Sequence, residues 1–354
     1  MQSVNIGNNQ AGQRLDKFLH KYMPEAGTGF LYKMLRKKNI TLNGKKAEGA
    51  EILALGDTVS FFFSEETFCK FTGTSPRPRE DCQDGKNRYK EAPPIPLAEY
   101  EKAFLTLRGI EVIYEDDNVL IVCKPAGILS QKAESSDISL NEWLIGYLLT
   151  KNPSLCEELN TFRPSVCNRL DRNTSGIVLC GKSLAGSQYL SKCIKERTIK
   201  KFYRTICVGR LEQGDSVKGY LVKDTSRNKV NILKIPTGNE KKEAIETAYQ
   251  PIAFSQNYTL LEVELITGKP HQIRAHLASI GHPLIGDFKY GNEKVNHLLK
   301  ETYHLQYQLL HAYRIVFPPC KEGIGAVLSK KEFFAPYPKE FQKISAGLGF
   351  EKVK

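Results

Sequence analysis

The stretch that decides the fold reads Asn168-Arg169-Leu170-Asp171-Arg172-Asn173-Thr174-Ser175-Gly176 and runs on into four apolar residues, 177–180. A polar turn followed by an apolar run indicates a loop that enters a buried strand. Such a strand would hold the carboxylate of Asp171 rigidly. The arginines on either side of Asp171 favour a site that binds phosphate. From these residues alone, a turn aspartate that bonds its own backbone remains the ordinary alternative.

Regular elements are predicted on both sides of this stretch. Two strands over 112–114 and 119–123 and a helix over 140–149 precede it. Alternation over 200–208 predicts a strand that carries Tyr203, Thr205 and Cys207 on one face. A helix is expected after Thr267-Gly268, with Ile273 and Leu277 towards the core and with Arg274 and His271, three residues apart, on another side.

The N-terminal region has a different pattern. Apolar residues at helical spacing predict one helix over 14–23, and Thr28 is expected to cap a second. Strands are predicted to enter an Asn43-Gly44 hairpin and to cover 58–63. The two helices turn basic side chains towards solvent, which is typical of a module that binds a polyanion.

Length and composition restrict the class of protein. A chain of 354 residues with 41% hydrophobic and 25% charged residues predicts a globular protein of two domains. It has no apolar run of membrane-spanning length, and its N-terminus is unlike a signal peptide, so we expect neither membrane insertion nor export. Nine cysteines without metal-binding spacing are expected to be reduced thiols in the cytoplasm.

The formal net charge of +12 points to nucleic acid as the partner. The basic residues are concentrated in two stripes, 14–46 with nine and 182–210 with eight. A polar, proline-containing segment separates the two parts of the chain and is predicted to be a linker. The predicted boundaries are 1–63 for the basic module, 64–100 for the linker, 101–325 for the catalytic domain and 326–354 for a C-terminal segment.

Residues 12–63 resemble the S4 RNA-binding domain. The resemblance rests on Arg14-Leu15-Asp16-Lys17-Phe18-Leu19, on 38–45 and on Gly56-Asp57-Thr58-Val59. Where S4 modules commonly begin the second helix with Ser-Arg-Ser, this chain has Thr28-Gly29-Phe30. The resemblance implies RNA contacts by the basic residues of the module, which are Arg14, Lys17, Arg36, Lys37 and Lys38.

Residues 109–320 resemble the RluA family of pseudouridine synthases in four ordered blocks. The blocks are 112–127, 168–176, Lys201-Phe202-Tyr203, and 267–277 continuing through 281–291. The implied fold is α+β, with an S4-type module of helices and strands joined to a catalytic domain on a mixed, mainly antiparallel sheet. The implied reaction converts uridine to pseudouridine in RNA and needs no metal or organic cofactor.

The resemblance also implies roles for single residues. Asp171 would be the nucleophile, Arg274 its ion-pair partner, and Tyr203 the ring that stacks on the flipped uracil. Arg169 would fill the gap that the base leaves, and Arg172 and His271 would contact RNA. The chain departs from the family at Asn168, where a histidine is usual, and at Lys269, where an arginine is usual.

Two alternatives remain open at this stage. The substrate is expected to be large-subunit ribosomal RNA, because family members with an S4 module mostly modify that target, but transfer RNA is a second possibility. A different class of function is a catalytically weakened RNA-binding or ribosome-assembly factor, which Asn168 alone favours. We expect a monomer that binds RNA and no membrane.

Overall fold

The computed structural model describes residues 2–72, 96–224, 229–233 and 243–352. The chain divides into two compact units. The first comprises Met1–Thr106, Glu142–Ser165 and Gly181–Gln188, and the second Leu107–Asn141, Val166–Cys180 and Tyr189–Lys354. No helix in the described ranges is both long enough and apolar enough to cross a bilayer.

The N-terminal part of the first unit combines a small sheet with helices. Its elements are β1 (Gln2–Asn5), α1 (Leu15–Tyr22), α2 (Thr28–Arg36), β2 (Ile40–Leu42), β3 (Lys45–Lys46), β4 (Thr58–Phe61) and α3 (Glu65–Thr72). The strands are hydrogen-bonded in the order β1-β4-β2-β3. This confirms the predicted pair of helices followed by short strands.

The apolar stripes of α1 and α2 form the core of this part. Leu15, Phe18 and Leu19 of α1 and Leu31 and Leu35 of α2 are all almost fully buried. The Asn43-Gly44 turn joins β2 to β3 with positive φ at both residues, as the sequence predicts. The predicted cap is wrong: Gly27 occupies the N-cap position, and no side chain caps the helix.

The predicted linker contains structure at both of its ends. α3 lies inside its first part, where the ring of Phe68 packs 5.4 Å from Phe61 and 6.2 Å from Tyr22. The sequence boundary at residue 63 therefore excludes a helix that belongs to the N-terminal core, because two aromatic residues of α3 pack on it. A further helix, α4 (Leu97–Thr106), begins before residue 100. Residues 73–95 of the predicted linker lie outside the described residues.

The remaining elements follow in chain order. They are β5 (Glu111–Glu115), β6 (Val119–Lys124), α5 (Leu140–Lys151), α6 (Leu155–Glu158), β7 (Ser165–Val166), β8 (Ser175–Gly181), α7 (Leu184–Lys195), β9 (Lys200–Val208), β10 (Asp215–Asp224), β11 (Lys229–Leu233), β12 (Glu243–Phe254), β13 (Tyr258–Leu265), α8 (Gln272–Ser279), α9 (Glu293–Tyr303), β14 (Leu310–Val316), α10 (Ile324–Leu328), β15 (Glu332–Phe334), α11 (Lys339–Gly347) and β16 (Glu351–Lys352).

The large sheet is mixed and mostly antiparallel, as predicted. Its strands run in the order β11-β10-β12-β13-β9-β14-β8-β6-β5, with β7, β15 and β16 paired at its margins. β8 and β14 pair in parallel, whereas β9 lies antiparallel between β13 and β14. Strand β9 has the predicted bounds, and Tyr203, Thr205 and Cys207 are buried on one face of it.

The C-terminal residues are part of the second unit. β15 pairs with β14, β16 pairs with β12, and Phe341 and Ile344 of α11 enter a core with Ile206 of β9. The predicted division at residue 325 therefore does not correspond to a boundary in the fold. These contacts are long-range, so local sequence patterns contain no sign of them.

Close packing of β8 against β14 positions the loop that carries Asp171. Gly176 has φ +113°, and a Cβ there would lie 2.2 Å from the carbonyl oxygen of Ala312. Only glycine fits so close to another backbone at positive φ. Gly176 is thus required for the close pairing of β8 with β14 that begins after the Asp171 loop.

Candidate active site

The backbone around Asp171 is anchored on both sides. Ser130 Oγ donates to the carbonyl oxygen of Leu170 and accepts the Leu170 N–H, both at 3.0 Å. The Thr174 N–H donates to the carbonyl oxygen of Asp171 at 3.0 Å, which closes the turn. The Asp171 side chain is 26% exposed. The loop therefore holds a partly accessible carboxylate on a fixed backbone, as the sequence predicts.

Lys124, a buried lysine, also holds the backbone of the Asp171 loop. Lys124 Nζ donates to the carbonyl oxygens of Pro125, Ile128 and Arg172 at 2.9, 2.8 and 3.0 Å. Burial lowers the pKa of Lys124 to about 7, and the negative charge of Asp171 opposes that shift. Three carbonyl acceptors match the three N–H bonds of an ammonium group, so they favour the charged form. Lys124 thus ties the turn after β6 to the Asp171 loop.

Arg274 lies between two carboxylates. Its Nη1 donates to Asp171 Oδ2 at 3.2 Å, while Nε and Nη2 donate to Asp287 Oδ2 and Oδ1 at 2.7 and 2.8 Å. The Arg274 side chain is 8% exposed and that of Asp287 is fully buried. Arg274 is therefore not a surface arginine. The bidentate pair with Asp287 fixes the guanidinium plane and directs Nη1 at Asp171.

Arg274 and Asp287 each stabilise the charged form of the other. Burial acts to lower the pKa of Arg274, but the hydrogen bonds and negative charge of Asp287, with a further contribution from Asp171, raise it above its usual value. Burial acts to raise the pKa of Asp287, yet Arg274 and the backbone N–H groups of Lys289 and Tyr290 bring it below its usual value. Both groups are consequently charged at neutral pH.

Hydrogen bonds to β12 fix the start of α8. Gln272 Nε2 donates to the Glu246 carbonyl oxygen and to Thr247 Oγ1, both at 2.9 Å. Thr267 Oγ1 accepts the Glu246 N–H at 2.8 Å and lies 2.9 Å from Gln272 Oε1. These buried contacts set the position of the helix that carries Arg274. Ile273 and Leu277 face the core, as predicted.

His271 lies just before α8 rather than within it. It is the N-cap residue and has the left-handed conformation, with φ 56° and ψ 11°. The prediction that His271 lies within the helix is therefore wrong, because α8 begins one residue later, but the prediction that His271 and Arg274 lie on the same side is confirmed. His271 nevertheless reaches the same carboxylate, with Nε2 4.0 Å from Asp171 Oδ2. Its Nδ1 lies 3.0 Å from the hydroxyl of Tyr290.

Asp171, Arg274 and His271 line a cavity of about 600 Å³. Tyr203 is in its wall, and burial, followed by the charge of Asp171, raises the pKa of the phenol, which therefore stays protonated. Arg169 and Arg172 are exposed at the rim, and Lys201 and Arg197 add positive charge. The structure brings together around this cavity six residues that the sequence selected, which are Asp171, Tyr203, Arg274, Arg169, Arg172 and His271.

The two departures from the family pattern have distinct local roles. Asn168 Oδ1 accepts the Leu179 N–H at 2.7 Å, and Asn168 Nδ2 donates to the Ile177 carbonyl oxygen at 3.4 Å. The amide thus bonds the Leu179 N–H and the Ile177 carbonyl oxygen of β8, which ties the start of the Asp171 loop to this strand. Lys269 Nζ lies 3.0 Å from Glu243 Oε1 at the edge of the cavity.

The basic residues of the N-terminal module differ in their contacts. Arg14 is paired with Asp16, with two hydrogen bonds of 2.9 and 3.1 Å. The others, Lys17, Arg36, Lys37 and Lys38, are exposed. In the second basic stripe, Arg204 is not directed at the cavity, because it pairs with Glu262 at 3.2 Å and packs on the ring of Tyr313.

Sequence reasoning missed three groups of the site, namely Asp287, Lys124 and Ser130. Asp287 and Lys124 belong to quoted sequence blocks, but nothing in the sequence assigned them a contact. A carboxylate that directly follows a glycine, in Gly286-Asp287, and a lysine at the end of an apolar strand are signals of buried charge. Ser130 gives no such signal.

The arrangement is suited to nucleophilic chemistry. Asp171 presents a carboxylate to the cavity, and the guanidinium of Arg274 donates a hydrogen bond to it at 3.2 Å. In the part of the chain that the structure describes, no three acidic, histidine or cysteine side chains come together as metal ligands. Tyr203 offers an aromatic face and a protonated phenol on the same cavity wall.

Comparison with known proteins gives a consistent result. The family model for RNA pseudouridylate synthase matches residues 118–279. Ribosomal large subunit pseudouridine synthase C of Vibrio parahaemolyticus is 27% identical over 98% of this chain and 96% of its own length. The same enzyme of Rickettsia bellii is 28% identical over 87% of this chain and 91% of its own length. The solved structure of human RNA pseudouridylate synthase domain containing 1 shares the fold, with a TM-score of 0.53 at 19% identity over 70% of this chain and 91% of that one.

Proposed function

We propose that the chain is an RNA pseudouridine synthase of the RluA family and that it modifies uridines of large-subunit ribosomal RNA with Asp171 as the nucleophile. The observation that carries the proposal is the Asp171–Arg274 pair at 3.2 Å, backed by the buried Asp287. An exposed turn aspartate needs no such support. Two relatives, which cover 87% and 98% of this chain, are named as ribosomal large subunit enzymes, which favours that substrate.

The reaction requires no external electrons. The bond from uracil N1 to the ribose breaks, a bond from uracil C5 to the same ribose carbon forms, and the proton lost from C5 balances the one gained at N1. Asp171 attacks the target uridine, the base detaches and rejoins the ribose through carbon, and the bond to Asp171 breaks again so that the carboxylate is regenerated. A fixed carboxylate with a guanidinium partner is suited to this nucleophilic role.

The other site residues bind and orient the nucleotide. Tyr203 stacks on the flipped uracil, where its high phenol pKa keeps a proton available at neutral pH. Arg169 fills the space that the base vacates, because a planar guanidinium can stack there and still bind phosphate. Arg172 and His271 contact the RNA beside the cavity. These roles need no metal or organic cofactor.

Residues 12–63 act as an S4-type RNA-binding module. The exposed side chains of Lys17, Arg36, Lys37 and Lys38 support this role, since each can reach a phosphate. Arg14 has its own partner in Asp16 and contributes less. We expect the enzyme to act as a monomer in the cytoplasm.

The decisive experiment maps pseudouridine in total RNA from cells that have or lack the gene. We expect one or more large-subunit positions to lose pseudouridine and to regain it with the wild-type gene but not with Asp171→Asn. Asp117→Asn, a change of the same kind at an exposed turn, is the matched control and should restore the modification. Loss of pseudouridine from transfer RNA instead would refute the proposed substrate. Full restoration of pseudouridine by Asp171→Asn would refute the role of Asp171 as the nucleophile.

A further inference from the structure

A chain of polar contacts leads from β11 to the carboxylate of Asp171. The Val230 N–H donates to Tyr290 Oη at 2.9 Å, and the same hydroxyl lies 3.0 Å from His271 Nδ1. On the other side of the imidazole, Nε2 lies 4.0 Å from Asp171 Oδ2. The proposed function gives His271 only a general RNA contact, so this chain of contacts needs its own explanation.

The positions of the protons follow from the donors. A backbone N–H can only donate, so Tyr290 Oη is the acceptor from Val230. The single proton of the phenol is then free to point at His271 Nδ1, which accepts it when the imidazole is neutral. A neutral imidazole that accepts at Nδ1 carries its own proton on Nε2. That N–H faces Asp171.

We propose that Tyr290 is a positioning residue that fixes His271 as the Nε2–H tautomer, so that His271 and Arg274 together hold Oδ2 of Asp171 and leave Oδ1 free to attack the uridine. The inference rests on the proposed function. The geometry supports it because both Arg274 Nη1 and His271 Nε2 approach the same carboxylate oxygen, at 3.2 and 4.0 Å. The longer distance must shorten by about 1 Å to become a hydrogen bond, as catalytic contacts often do when substrate binds.

The electrostatic surroundings keep the imidazole neutral. Burial lowers the pKa of His271, and this outweighs the opposite effect of the Asp171 charge. The charged groups that face His271 or its partner Tyr290 come from the Asp171 loop, α8, the segment after it and β11; they are Asp171, Arg274, Asp287, Lys289 and Lys229. A protonated ring would place a second proton on Nδ1, directly opposite the Tyr290 hydroxyl.

The backbone of His271 supports a functional reason for this residue. Its left-handed conformation is uncommon for residues other than glycine, although asparagine, aspartate and histidine adopt it more readily than most. Strained conformations of this kind persist mainly where the surrounding structure demands them. Backbone preference alone would therefore favour asparagine over glutamine at position 271.

The tautomer can be observed directly. In the full-length protein labelled with ¹⁵N-histidine, the ¹⁵N shifts distinguish the two neutral tautomers, and His271→Gln identifies the signal among seven histidines. We expect Nε2–H in the wild type and a mixture of tautomers in Tyr290→Phe, which keeps the ring but lacks the hydroxyl. An Nδ1–H tautomer in the wild type, or no change in Tyr290→Phe, would overturn the proposal. This readout does not depend on activity, so it remains decisive even if the proposed reaction is wrong.

Two substitutions of His271 separate its two nitrogen atoms. The amide nitrogen of glutamine can take the place of Nε2, whereas that of asparagine is nearer to Nδ1. We expect the single-turnover rate on saturating RNA to fall by at least about tenfold more in His271→Asn than in His271→Gln, since a bond to a charged acceptor is lost. Backbone strain alone would make His271→Asn the more stable of the two variants, so a structural effect would act in the opposite direction. Equal rates, or a faster asparagine variant, would contradict the proposal.

A double-mutant cycle tests the role of Tyr290. Tyr290→Phe should lower the rate in the wild-type background but add little further loss in His271→Gln, because an amide has no tautomer to fix. A purely structural role of Tyr290 would produce the same loss in both backgrounds, which would refute the proposal. An inactive wild-type enzyme would instead refute the proposed function and leave the tautomer measurement to decide this inference.

Discussion

Arg274 is the residue on which the charge balance of the cavity depends. It neutralises Asp287, which is fully buried, and also contacts Asp171 at the cavity wall. Removing one partner of a buried ion pair leaves an unpaired charge, which costs about 3–5 kcal/mol of stability. Substitutions of Arg274 therefore act on both stability and chemistry, and the two effects have to be separated.

We expect Arg274→Leu to lose more activity than Arg274→Lys, because lysine keeps the charge but not the two-pronged geometry. Arg274→Leu should also lower the free energy of unfolding by about 3–5 kcal/mol. Adding Asp287→Leu to Arg274→Leu removes the unpaired buried charge and should restore much of the stability without activity. Single-turnover rates and urea unfolding measure the two effects. If the double variant regained activity together with stability, the contact of Arg274 with Asp171 would not be needed for the reaction.

The contact of β8 with β14 is the element that places the Asp171 loop in the sheet. His311 and Ala312 of β14 lie beside Ser175 and Gly176 of β8 in a parallel pairing. Ser175 Oγ lies 2.8 Å from His311 Nδ1, which adds a side-chain contact to the backbone pairing. Any side chain at position 176 must therefore push the two strands apart.

Gly176→Ala is expected to destabilise the protein by about 3 kcal/mol or more, since the new methyl group meets the Ala312 carbonyl oxygen at 2.2 Å and the residue has positive φ. Gly281→Ala is the matched control. Gly281 also has positive φ, +86°, but a Cβ there meets no atom within 4 Å, so its cost should be about 1 kcal/mol. Urea unfolding measures both. Equal losses would mean that the β8–β14 approach is not tight.

On the scale of the whole molecule, two buried histidines make stability depend on pH. Burial lowers the pKa of both His276 and His311 to about 4, whereas an unfolded histidine titrates near 6.5. Between these values the unfolded chain binds protons that the folded chain does not. Stability is therefore fully present above about pH 6.5 and falls as the pH drops towards 4.

We expect the free energy of unfolding to decrease from about pH 6.5 to 4 and the decrease to be smaller in His276→Gln, which removes one of the two groups. The same substitution at the exposed His297 is the control. Urea unfolding at several pH values gives the slope. A slope that is identical in wild type and His276→Gln would show that His276 does not stay neutral in the fold.

RNA binding by the N-terminal module predicts a dependence on salt. The triple substitution of Arg36, Lys37 and Lys38 by glutamine should weaken binding to large-subunit RNA and flatten the plot of log affinity against log salt by roughly 2–3 units. The matched control replaces three exposed lysines of the second unit, Lys321, Lys339 and Lys343, and changes the net charge equally. Equal slopes in the two variants would mean that net charge alone, rather than this surface, determines binding.

Local sequence patterns were sufficient to predict several elements. The alternation in 200–208 gave β9 its bounds and its faces, and Asn43-Gly44 predicted a hairpin turn, because both depend on neighbouring residues and backbone conformation. The ordered blocks also selected Asp171, Tyr203 and Arg274. The predicted helix placed His271 inside α8, whereas His271 lies just before it, because nothing in the local sequence shows that His271 adopts a left-handed conformation.

Which charged side chains come into contact depends on the tertiary structure. Asp171 and Arg274 are 103 residues apart, and Asp287 is 13 residues beyond Arg274, so their contacts depend on strand pairing and on the position of α8. The same holds for Lys124 below the loop, for Phe68 on the N-terminal core and for α11 in the core of the second unit. Packing and burial create these contacts between distant parts of the chain, and a local pattern cannot encode the partner of a buried group.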